Sequence, residues 1–307
     1  MKVDSPIVSV IMCTYNHSPF IAQAIEGVLM QKTTFPLELI IGEDCSTDNT
    51  RQIVNEYFAN NPDVIVTQFP ESNMGSTGNI LSLIHAARGK YIAICDGDDY
   101  WTDSLKLQKQ VDFMQGNEAY GMVCGVAAKY IQDKGKIEGN LGDISAESYE
   151  SLLGGYSDVA APTMFMKTDL LKRCIHECQY FIKNNLFFDT AITYWFSYHS
   201  KIKFFNDISA VYRVLPDSGC HTSNFGKRLS IDLNYFKIKI YFLLRYPLKD
   251  STKIEEVLDS IFKYNLEIVR FAGYVGETEV RKSLSYKMGK AISMPFKTLI
   301  KLSKNKQ

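Results

Sequence analysis

Three carboxylates lie within four positions of one another, directly after a short apolar run. Asp96, Asp98 and Asp99 follow residues 91–95, whose mostly apolar side chains predict a buried strand. Acids at the carboxyl end of such a strand lie at the edge where open α/β sheets bind ligands. Two carboxylates separated by Gly97, which would let the backbone turn sharply, can reach one Mg²⁺ or Mn²⁺ ion together. The pattern favours a site for a metal-bound diphosphate, and its alternative is an acidic turn.

Two earlier predicted strands also end in polar residues. The β-branched run 7–12 ends near Thr14, and the run 37–41 ends at Glu43 and Asp44. Because parallel strands present their carboxyl ends at one edge of a sheet, we expect the three polar loops to lie together. The two acids also fit the start of the following helix, where acids are favoured. Both roles are compatible, since a neighbouring hydroxyl can cap the helix while one acid faces a ligand.

The order of the predicted elements indicates the fold class. Strands and helices alternate with short connections from residue 7 to Trp101, which predicts an α/β fold with a Rossmann-like, mainly parallel central sheet flanked by helices. Residues 231–275 are rich in Tyr, Phe, Ile and Leu and are predicted to be helical. We therefore expect a first domain over 1–228 and a helical extension over 229–307.

Charge and cysteine usage limit the classes of function. The net charge is zero, which argues against a dedicated nucleic-acid binder. The seven cysteines are scattered, and residues 1–6 lead into the first predicted strand without an apolar leader. No apolar run reaches the length of about 18 residues that a membrane-spanning helix needs. These features predict a cytoplasmic protein with reduced thiols.

The last part of the chain is basic and amphipathic. The segment 281–307 carries eight basic residues and no acid, and apolar residues interleave with them. Such a segment can lie on an anionic membrane, which predicts peripheral contact with the inner face of the plasma membrane. A solvated terminal helix or a disordered tail is the alternative, and Pro295 would interrupt any single helix. The sequence leaves these alternatives open.

Taken together, the ordered motifs resemble glycosyltransferase family 2, whose members have the GT-A fold. The resemblance runs from about Val8 to His221. It is carried by four segments, namely 8–16 (VSVIMCTYN), 43–48 (EDCSTD), 89–93 (GKYIA) and 96–99 (DGDD). Each segment alone is a weak signal, whereas their joint occurrence in this order is specific.

The resemblance implies roles for the residues after the first two strands. Cys13, Thr14 and Tyr15 would line the nucleoside pocket through backbone and ring contacts. Asp44 would hydrogen-bond the nucleotide base. These four positions would therefore hold the nucleoside half of a nucleotide-sugar donor.

The resemblance also implies which residues handle the metal and the acceptor. Asp96 and Asp98 match the Asp-x-Asp motif that binds the nucleotide and a Mn²⁺ or Mg²⁺ ion, with Asp98 the more direct metal ligand. Asp189 stands where inverting members carry the general base, although an acid opening a helix is also an ordinary N-cap. His221 stands where some relatives bring a residue onto the metal or the diphosphate.

The sequence departs from the family at three points. The third helix reads Asn79-Ile80-Leu81 where the family often has Ala-Arg-Asn, so any contact made by that arginine must come from elsewhere. The Gln-x-x-Arg-Trp motif of processive synthases has no match, which argues against polymer synthesis. The first acid after the second strand is Glu43 rather than Asp.

The resemblance implies an inverting, metal-dependent glycosyltransferase. It would move a sugar from a nucleotide-diphosphate donor, with UDP-sugar expected, to a hydroxyl of a glycan or lipid-linked acceptor in cell-envelope polysaccharide or lipopolysaccharide synthesis. Residues 1–115 would form the nucleotide-sugar half and 116–228 the acceptor half. One alternative is a sugar-1-phosphate nucleotidyltransferase, whose Gly-x-Gly-x-Arg loop is absent after the first strand. The other is a non-catalytic glycan-binding protein on the same fold.

Overall fold

A computed structural model of the chain describes residues 5–142, 148–154, 159–183, 188–216 and 225–261. His221 and the basic segment 281–307 lie outside these ranges, so the predictions made for them are not addressed by the structure. Within the described ranges, no helix combines the length and the apolar character needed to cross a bilayer.

The chain divides into two compact units. The first comprises Met1–Leu152 and Tyr156–Thr222, and the second comprises Leu153–Gly155 and Ser223–Gln307. The described part of the second unit contains the helix α8 (Phe225–Arg245) and further helical residues at 254–261.

The first unit is built on a nine-stranded sheet. Its strands are β1 (Val8–Thr14), β2 (Leu37–Glu43), β3 (Ile65–Gln68), β4 (Tyr91–Ile94), β5 (Tyr100–Trp101), β6 (Tyr120–Ile131), β7 (Lys136–Leu141), β8 (Phe165–Lys167) and β9 (Lys201–Val214). Their order is β3-β2-β1-β4-β8-β6-β9-β5, and β7 pairs with β6.

The sheet is parallel in its first half and mixed in its second half. Strands β1 to β4 are all parallel, as the sequence predicts. Strand β8 runs antiparallel to β4 and to β6, because Phe165 at its start lies beside Ala93 near the carboxyl end of β4. The predicted α/β class with a mainly parallel sheet is confirmed, because β6 and β9 also pair in parallel, so that six of the nine strands share one direction and β5, β7 and β8 run the other way.

Helices follow most of these strands. They are α1 (Ile21–Leu29), α2 (Thr50–Asn60), α3 (Gly75–Ala86), α4 (Lys106–Gly116), α5 (Tyr149–Gly154), α6 (Thr168–Lys183) and α7 (Phe188–His199). Apolar residues of α1 at helical spacing, such as Ile21, Ile25 and Val28, share one buried core with Val10 and Met12 of β1. This core fixes the central strands, whose carboxyl ends carry the polar loops.

The three polar loops meet at one edge of the sheet, as the sequence predicts. Thr14 at the end of β1 lies beside Glu43 at the end of β2. Past the strands, the Asp44 N–H donates to the Thr14 carbonyl at 3.0 Å, and the Gly97 N–H donates to the Cys13 carbonyl at 2.8 Å. The β1 end therefore holds the loop after β2 on one side and the acidic turn on the other.

Arg213, which comes more than a hundred residues later in the chain, binds the acidic turn. Arg213 of β9 is 8% exposed. Its backbone N–H donates to Asp99 Oδ1 and its Nε–H donates to the Asp98 carbonyl, both at 2.8 Å. Its two terminal nitrogens donate to the side-chain oxygens of Gln132 and Gln23, also at 2.8 Å. Arg213 thus ties the acidic turn to β9, to the end of β6 and to α1.

Aromatic rings surround the same guanidinium. Its central carbon lies 4.7 Å from the ring centroid of Phe20, 5.3 Å from that of Tyr100 and 5.4 Å from that of Tyr130. A guanidinium group is planar and delocalised, so it can stack on aromatic rings and donate hydrogen bonds to several acceptors at fixed angles. A lysine ammonium group cannot reproduce this arrangement. The site therefore requires arginine and not merely a positive charge.

We expect Arg213→Lys to lower the melting temperature by about 5–15 °C, because it leaves the part-buried Asp98 carbonyl and the glutamine oxygens without their donors and removes the stacking on the rings. Thermal unfolding followed by circular dichroism measures this. Arg173→Lys is the matched control, since Arg173 is a 55% exposed side chain paired with Glu177 on α6 and such pairs contribute little. Equal melting temperatures for the two variants would contradict this role of Arg213.

Candidate functional site

A cavity of about 640 Å³ lies at the carboxyl edge of the first unit's sheet. It is lined by every predicted site residue that the structure describes, namely Cys13, Thr14, Tyr15, Asp44, Asp96, Asp98 and Asp189. These residues come from the loops after β1, β2 and β4 and from the start of α7. Segments distant in sequence therefore converge on one volume, large enough for a small-molecule ligand.

Glu43 and Asp44 have different roles despite being adjacent. Glu43 is fully buried, accepts a hydrogen bond from the Ser46 N–H at 2.6 Å and pairs with Arg51. It therefore fixes the turn into α2. Asp44 lies on the cavity wall, and its Oδ1 accepts the Met74 N–H at 2.7 Å. The helix-start and ligand-facing interpretations of this pair are thus divided between the two acids.

The loops after β1 and β2 are locked to each other. The Asn16 N–H donates to Ser46 Oγ at 2.9 Å, and the Thr47 N–H donates to Asn16 Oδ1 at 2.8 Å. Asn16 and Cys45 have left-handed backbones, with φ of 56° and 61°, and are the described non-glycine residues with positive φ. Such conformations persist where the surroundings impose them, and they cluster at functional sites. Tyr15 is 43% exposed beside this lock, so its ring is accessible from the cavity.

Gly97 lies in the tight turn that the sequence predicts, in which the Asp99 N–H donates to the Asp96 carbonyl at 3.1 Å, and a glycine is also required there for space. Its backbone is not among the left-handed ones of the described chain. A Cβ atom there would lie 2.6 Å from Thr14 Oγ1 and 3.0 Å from Ile21 Cδ1. A side chain would therefore push the acidic turn away from β1. Thr14 Oγ1 is itself buried, and no described residue supplies it with a hydrogen-bond partner.

Like charges converge at the acidic turn. Desolvation raises the pKa of Asp96 to about 7, the negative charges of Asp98 and Asp189 add to this rise, and a backbone hydrogen bond from Cys13 opposes it. Asp189 at the start of α7 lines the same cavity and lies within electrostatic reach of the turn. Desolvation and the negative charges of Asp96, Asp44 and Asp98 raise the pKa of Cys13, so this residue remains a neutral thiol in the wall. The cluster would be stabilised by a cation.

The oxygen atoms present fit a divalent ion that is shared with a ligand. Within the described ranges, no group of three or more His, Cys, Asp or Glu side chains is arranged to hold a metal ion by itself. Asp96 and Asp98 supply the hard oxygen ligands that Mg²⁺ and Mn²⁺ prefer. Mg²⁺ commonly takes one or two carboxylates and completes its shell with water and substrate phosphates. The donor set fits an ion that binds together with a diphosphate.

Asp189 lies in the first turn of α7, as predicted, and also on the cavity wall. Its Oδ1 accepts the Thr190 N–H at 2.7 Å, and its carbonyl accepts the Thr193 hydroxyl at 2.9 Å. The helix thus fixes the position of the carboxylate. A helix-start acid and a cavity-facing acid are compatible descriptions of this residue.

Eleven further described wall residues escaped the sequence prediction, among them His17, Asn79 and Tyr212. His17 follows the first motif directly, but a single histidine has no specific pattern. Asn79 is 2% exposed and donates to the Gly42 carbonyl at 2.8 Å, while its Oδ1 has no partner among the described residues. Tyr212 lies on β9 beside Arg213, too far along the chain for any local motif to connect it with the acids.

Sequence comparisons find relatives of about a third of the chain. The protein named Uncharacterized protein Rv1520 of Mycobacterium tuberculosis is 43% identical over 106 residues, which are 34% of this chain and 31% of that protein. The protein named Putative teichuronic acid biosynthesis glycosyltransferase TuaG of Bacillus subtilis is 38% identical over 109 residues, which are 36% of this chain and 42% of that protein. The chain thus spans less than half the length of these relatives.

Solved structures share the fold. Staphylococcus aureus TarS 1-349 in complex with UDP-GlcNAc has a TM-score of 0.65 at 17% identity, covering 92% of this chain and 78% of that one. The mannosyltransferase PcManGT of Pyrobaculum calidifontis, in complex with GDP-Man and Mn²⁺, has a TM-score of 0.55 at 17% identity, covering 96% and 83%. The predicted GT-A type of α/β fold is thereby confirmed.

The comparison with family models decides the family. The model described as Glycosyl transferase family 2 matches residues 9–175, which is more than half of the 307-residue chain. The matched range includes the loops after β1, β2 and β4 that line the cavity. The family suggested by the ordered motifs is therefore confirmed, and the chain belongs to glycosyl transferase family 2.

Proposed function

We propose that this chain is an inverting, metal-dependent glycosyltransferase that moves a sugar from a UDP-sugar to a hydroxyl of a glycan or lipid-linked acceptor. The observation that carries the proposal is the single cavity in which Tyr15, Asp44, Asp98 and Asp189 meet. Family membership supports the reaction class, and a structural neighbour that holds UDP-GlcNAc supports the donor class. A relative named for teichuronic acid biosynthesis supports a role in cell-envelope polysaccharide or lipopolysaccharide synthesis.

The nucleoside is assigned to the part of the cavity formed by the loops after β1 and β2. Tyr15 offers an accessible ring on which a base can stack. Asp44 has one carboxylate oxygen fixed by the Met74 N–H, which orients the carboxylate as an acceptor for a base N–H. Cys13 and Thr14 complete this wall. Contacts remote from the reacting bond hold the donor still and contribute through its orientation.

The diphosphate is assigned to the acidic turn. Asp96 and Asp98 would hold a Mn²⁺ or Mg²⁺ ion there, and His221, outside the described residues, is the remaining candidate from the sequence. When bound, the ion neutralises the charge that the leaving diphosphate gains. Arg213 keeps the turn in place from behind, because it bonds the Asp98 carbonyl and the Asp99 carboxylate.

Asp189 is assigned as the general base. A carboxylate that takes the proton of an acceptor hydroxyl must lie across the reacting carbon from the leaving group. Asp189 comes from a different element than the acidic turn, yet its charge is felt at Asp96. Attack from that side replaces the leaving group with inversion at the anomeric carbon.

We expect Asp189→Asn to lower kcat by about 10²–10⁴-fold, because the amide cannot accept the proton. Affinity for UDP with Mn²⁺ should change little, since Asp189 is not assigned to the nucleotide. Release of nucleoside diphosphate from the donor measures turnover, and release of pyrophosphate instead would favour a nucleotidyltransferase. Asp169→Asn is the matched control, because Asp169 is an exposed first-turn acid on α6. Full activity of Asp189→Asn would contradict the role of Asp189 as general base and leave it only the role of starting helix α7.

Metal affinity should depend on pH through Asp96. Its pKa is raised to about 7 in the folded protein, so it is largely protonated at lower pH and must lose that proton to bind a cation. With UDP present, we expect the apparent Mn²⁺ affinity to rise up to about tenfold per pH unit below pH 7 and to level off above it. Electron paramagnetic resonance of free Mn²⁺ measures this. Because UDP itself titrates, Asp96→Asn is the reference, and an unchanged slope in that variant would contradict the assignment.

Peripheral membrane contact is assigned to the basic segment 281–307 on its sequence alone. We expect a chain without these residues to move from the membrane fraction to the supernatant, because electrostatic attraction to anionic lipid contributes about 1 kcal/mol per basic residue near the surface. Sedimentation with anionic vesicles measures this, and neutral vesicles provide the control. Unchanged sedimentation of the shortened chain would remove membrane contact from the proposal.

A further inference from the structure

The described cavity wall contains acids but very little positive charge. It carries the carboxyl groups of Asp44, Asp96, Asp98 and Asp189, and the described lining includes neither Lys nor Arg. Helix α3, which borders the cavity, has no basic residue before His85 in its last turn. A diphosphate in this cavity therefore depends on a cation and on whichever N–H donors the wall offers. Among the described lining residues, His17 is the only basic side chain.

The backbone of His17 is held in place. The His17 N–H donates to Thr50 Oγ1 at 2.9 Å, and the next N–H, that of Ser18, donates to Asp48 Oδ2 at 3.0 Å. Asp48 also accepts the Thr50 hydroxyl at 2.6 Å, so the two side chains that accept these backbone N–H groups bond each other. The start of α2 thus fixes the loop that carries the imidazole, and the ring enters the cavity from a defined direction.

The surroundings of the ring favour one arrangement of its protons. His17 Nδ1 is buried, and no described residue offers it a hydrogen-bond partner. A buried N–H without an acceptor is rarer and more costly than an unused lone pair, so the proton of the neutral ring belongs on Nε2. His17 Nε2 lies 3.9 Å from Asp98 Oδ2, which is too long for a hydrogen bond. Its N–H is therefore directed at the acidic turn without being satisfied by Asp98.

This arrangement argues against His17 as a metal ligand. Histidines that bind metals through one nitrogen almost always donate the other N–H to a carboxylate, a carbonyl or water. Binding through Nε2 would move the proton to Nδ1, where no described acceptor exists. The ring is therefore suited to donate a hydrogen bond and not to bind a metal ion.

We infer that His17 donates its Nε2–H to an oxygen of the terminal phosphate of the nucleoside diphosphate, beside Asp98. This inference rests on the proposed function and adds a contact that the Asp-x-Asp motif does not include. The terminal phosphate is the group that leaves with the nucleotide, and the proposed function assigns it to the acidic turn that Asp98 belongs to. The hydrogen bond strengthens as negative charge accumulates on that phosphate, so His17 stabilises the leaving group.

The test compares UDP, which has the terminal phosphate of the diphosphate, with UMP, which lacks it. We expect His17→Ala to weaken UDP binding in the presence of Mn²⁺ by about 10–100-fold, the range for a hydrogen bond to a charged group, and to change UMP binding by less than about threefold. His17→Gln should restore most of the affinity, because its amide N–H can take the place of Nε2–H. Isothermal titration calorimetry measures all four affinities, and His85→Ala on α3 is the matched exposed-histidine control.

Two results would overturn the inference. One is an equal loss for UMP and UDP in His17→Ala, which would mean that the residue only shapes the loop. The other is an unchanged affinity for both ligands. If the wild-type chain binds no UDP in the presence of Mn²⁺, the proposed function fails together with this inference. If the wild-type chain binds UDP and His17→Ala binds it equally well, only this inference is overturned. Melting temperatures of the variants show whether each is folded.

Discussion

Placing the buried Asp99 and the half-buried Asp96 carboxyl groups beside Asp98 costs free energy, and the first unit is arranged around that cost. Desolvation and the neighbouring acids raise the pKa of both groups. Behind the turn, the cost is offset by Arg213, whose N–H groups reach Asp99 and the Asp98 carbonyl. On the cavity side, the described wall provides no Lys or Arg. The protein's own N–H groups therefore offset the charge on the Arg213 side of the turn. On the cavity side, the charge is left to be neutralised by a cation bound together with a ligand.

Adjacent acids consequently have different environments. Asp99 is 3% exposed and is held by β9, whereas the Asp98 side chain is 24% exposed and lines the cavity. The same division occurs after β2, where Glu43 is bonded to Ser46 and Arg51 while Asp44 lies on the cavity wall. In both loops one acid stabilises the turn and its neighbour is available to a ligand. The loops are thereby held in place by one acid each, while the neighbouring carboxylate lines the cavity.

The sequence predicted the parts of the fold and site that local patterns determine. Apolar runs followed by polar loops identified β1, β2 and β4, and parallel pairing then required their ends to meet. Ordered motifs identified Asp44, Asp98 and Asp189, which the structure brings to one cavity, although their roles stay proposals. The space required at Gly97 was missed, since it depends on contact with Thr14 across two strands.

Other parts could not be read from local patterns. Arg213 lies more than a hundred residues after the acidic turn, and only the pairing of β5 with β9 brings it there. The antiparallel direction of β8 could not be predicted either, because the residues of a short strand carry no signal of the direction in which it enters the sheet. His17 became a candidate only when the charge of the whole wall and the empty hydrogen-bonding capacity of Nδ1 were known.

The central claim is that three loops and the start of α7 form one metal-dependent site for a nucleoside diphosphate. Thermal shift with UDP, GDP, dTDP and CMP, each with and without Mn²⁺, tests it most directly. The account predicts a rise in melting temperature that needs both UDP and Mn²⁺ and is lost in Asp98→Ala, because only a ligand bound to the folded state stabilises it. No shift with any nucleotide and metal together, or an equal shift in Asp98→Ala, would contradict it.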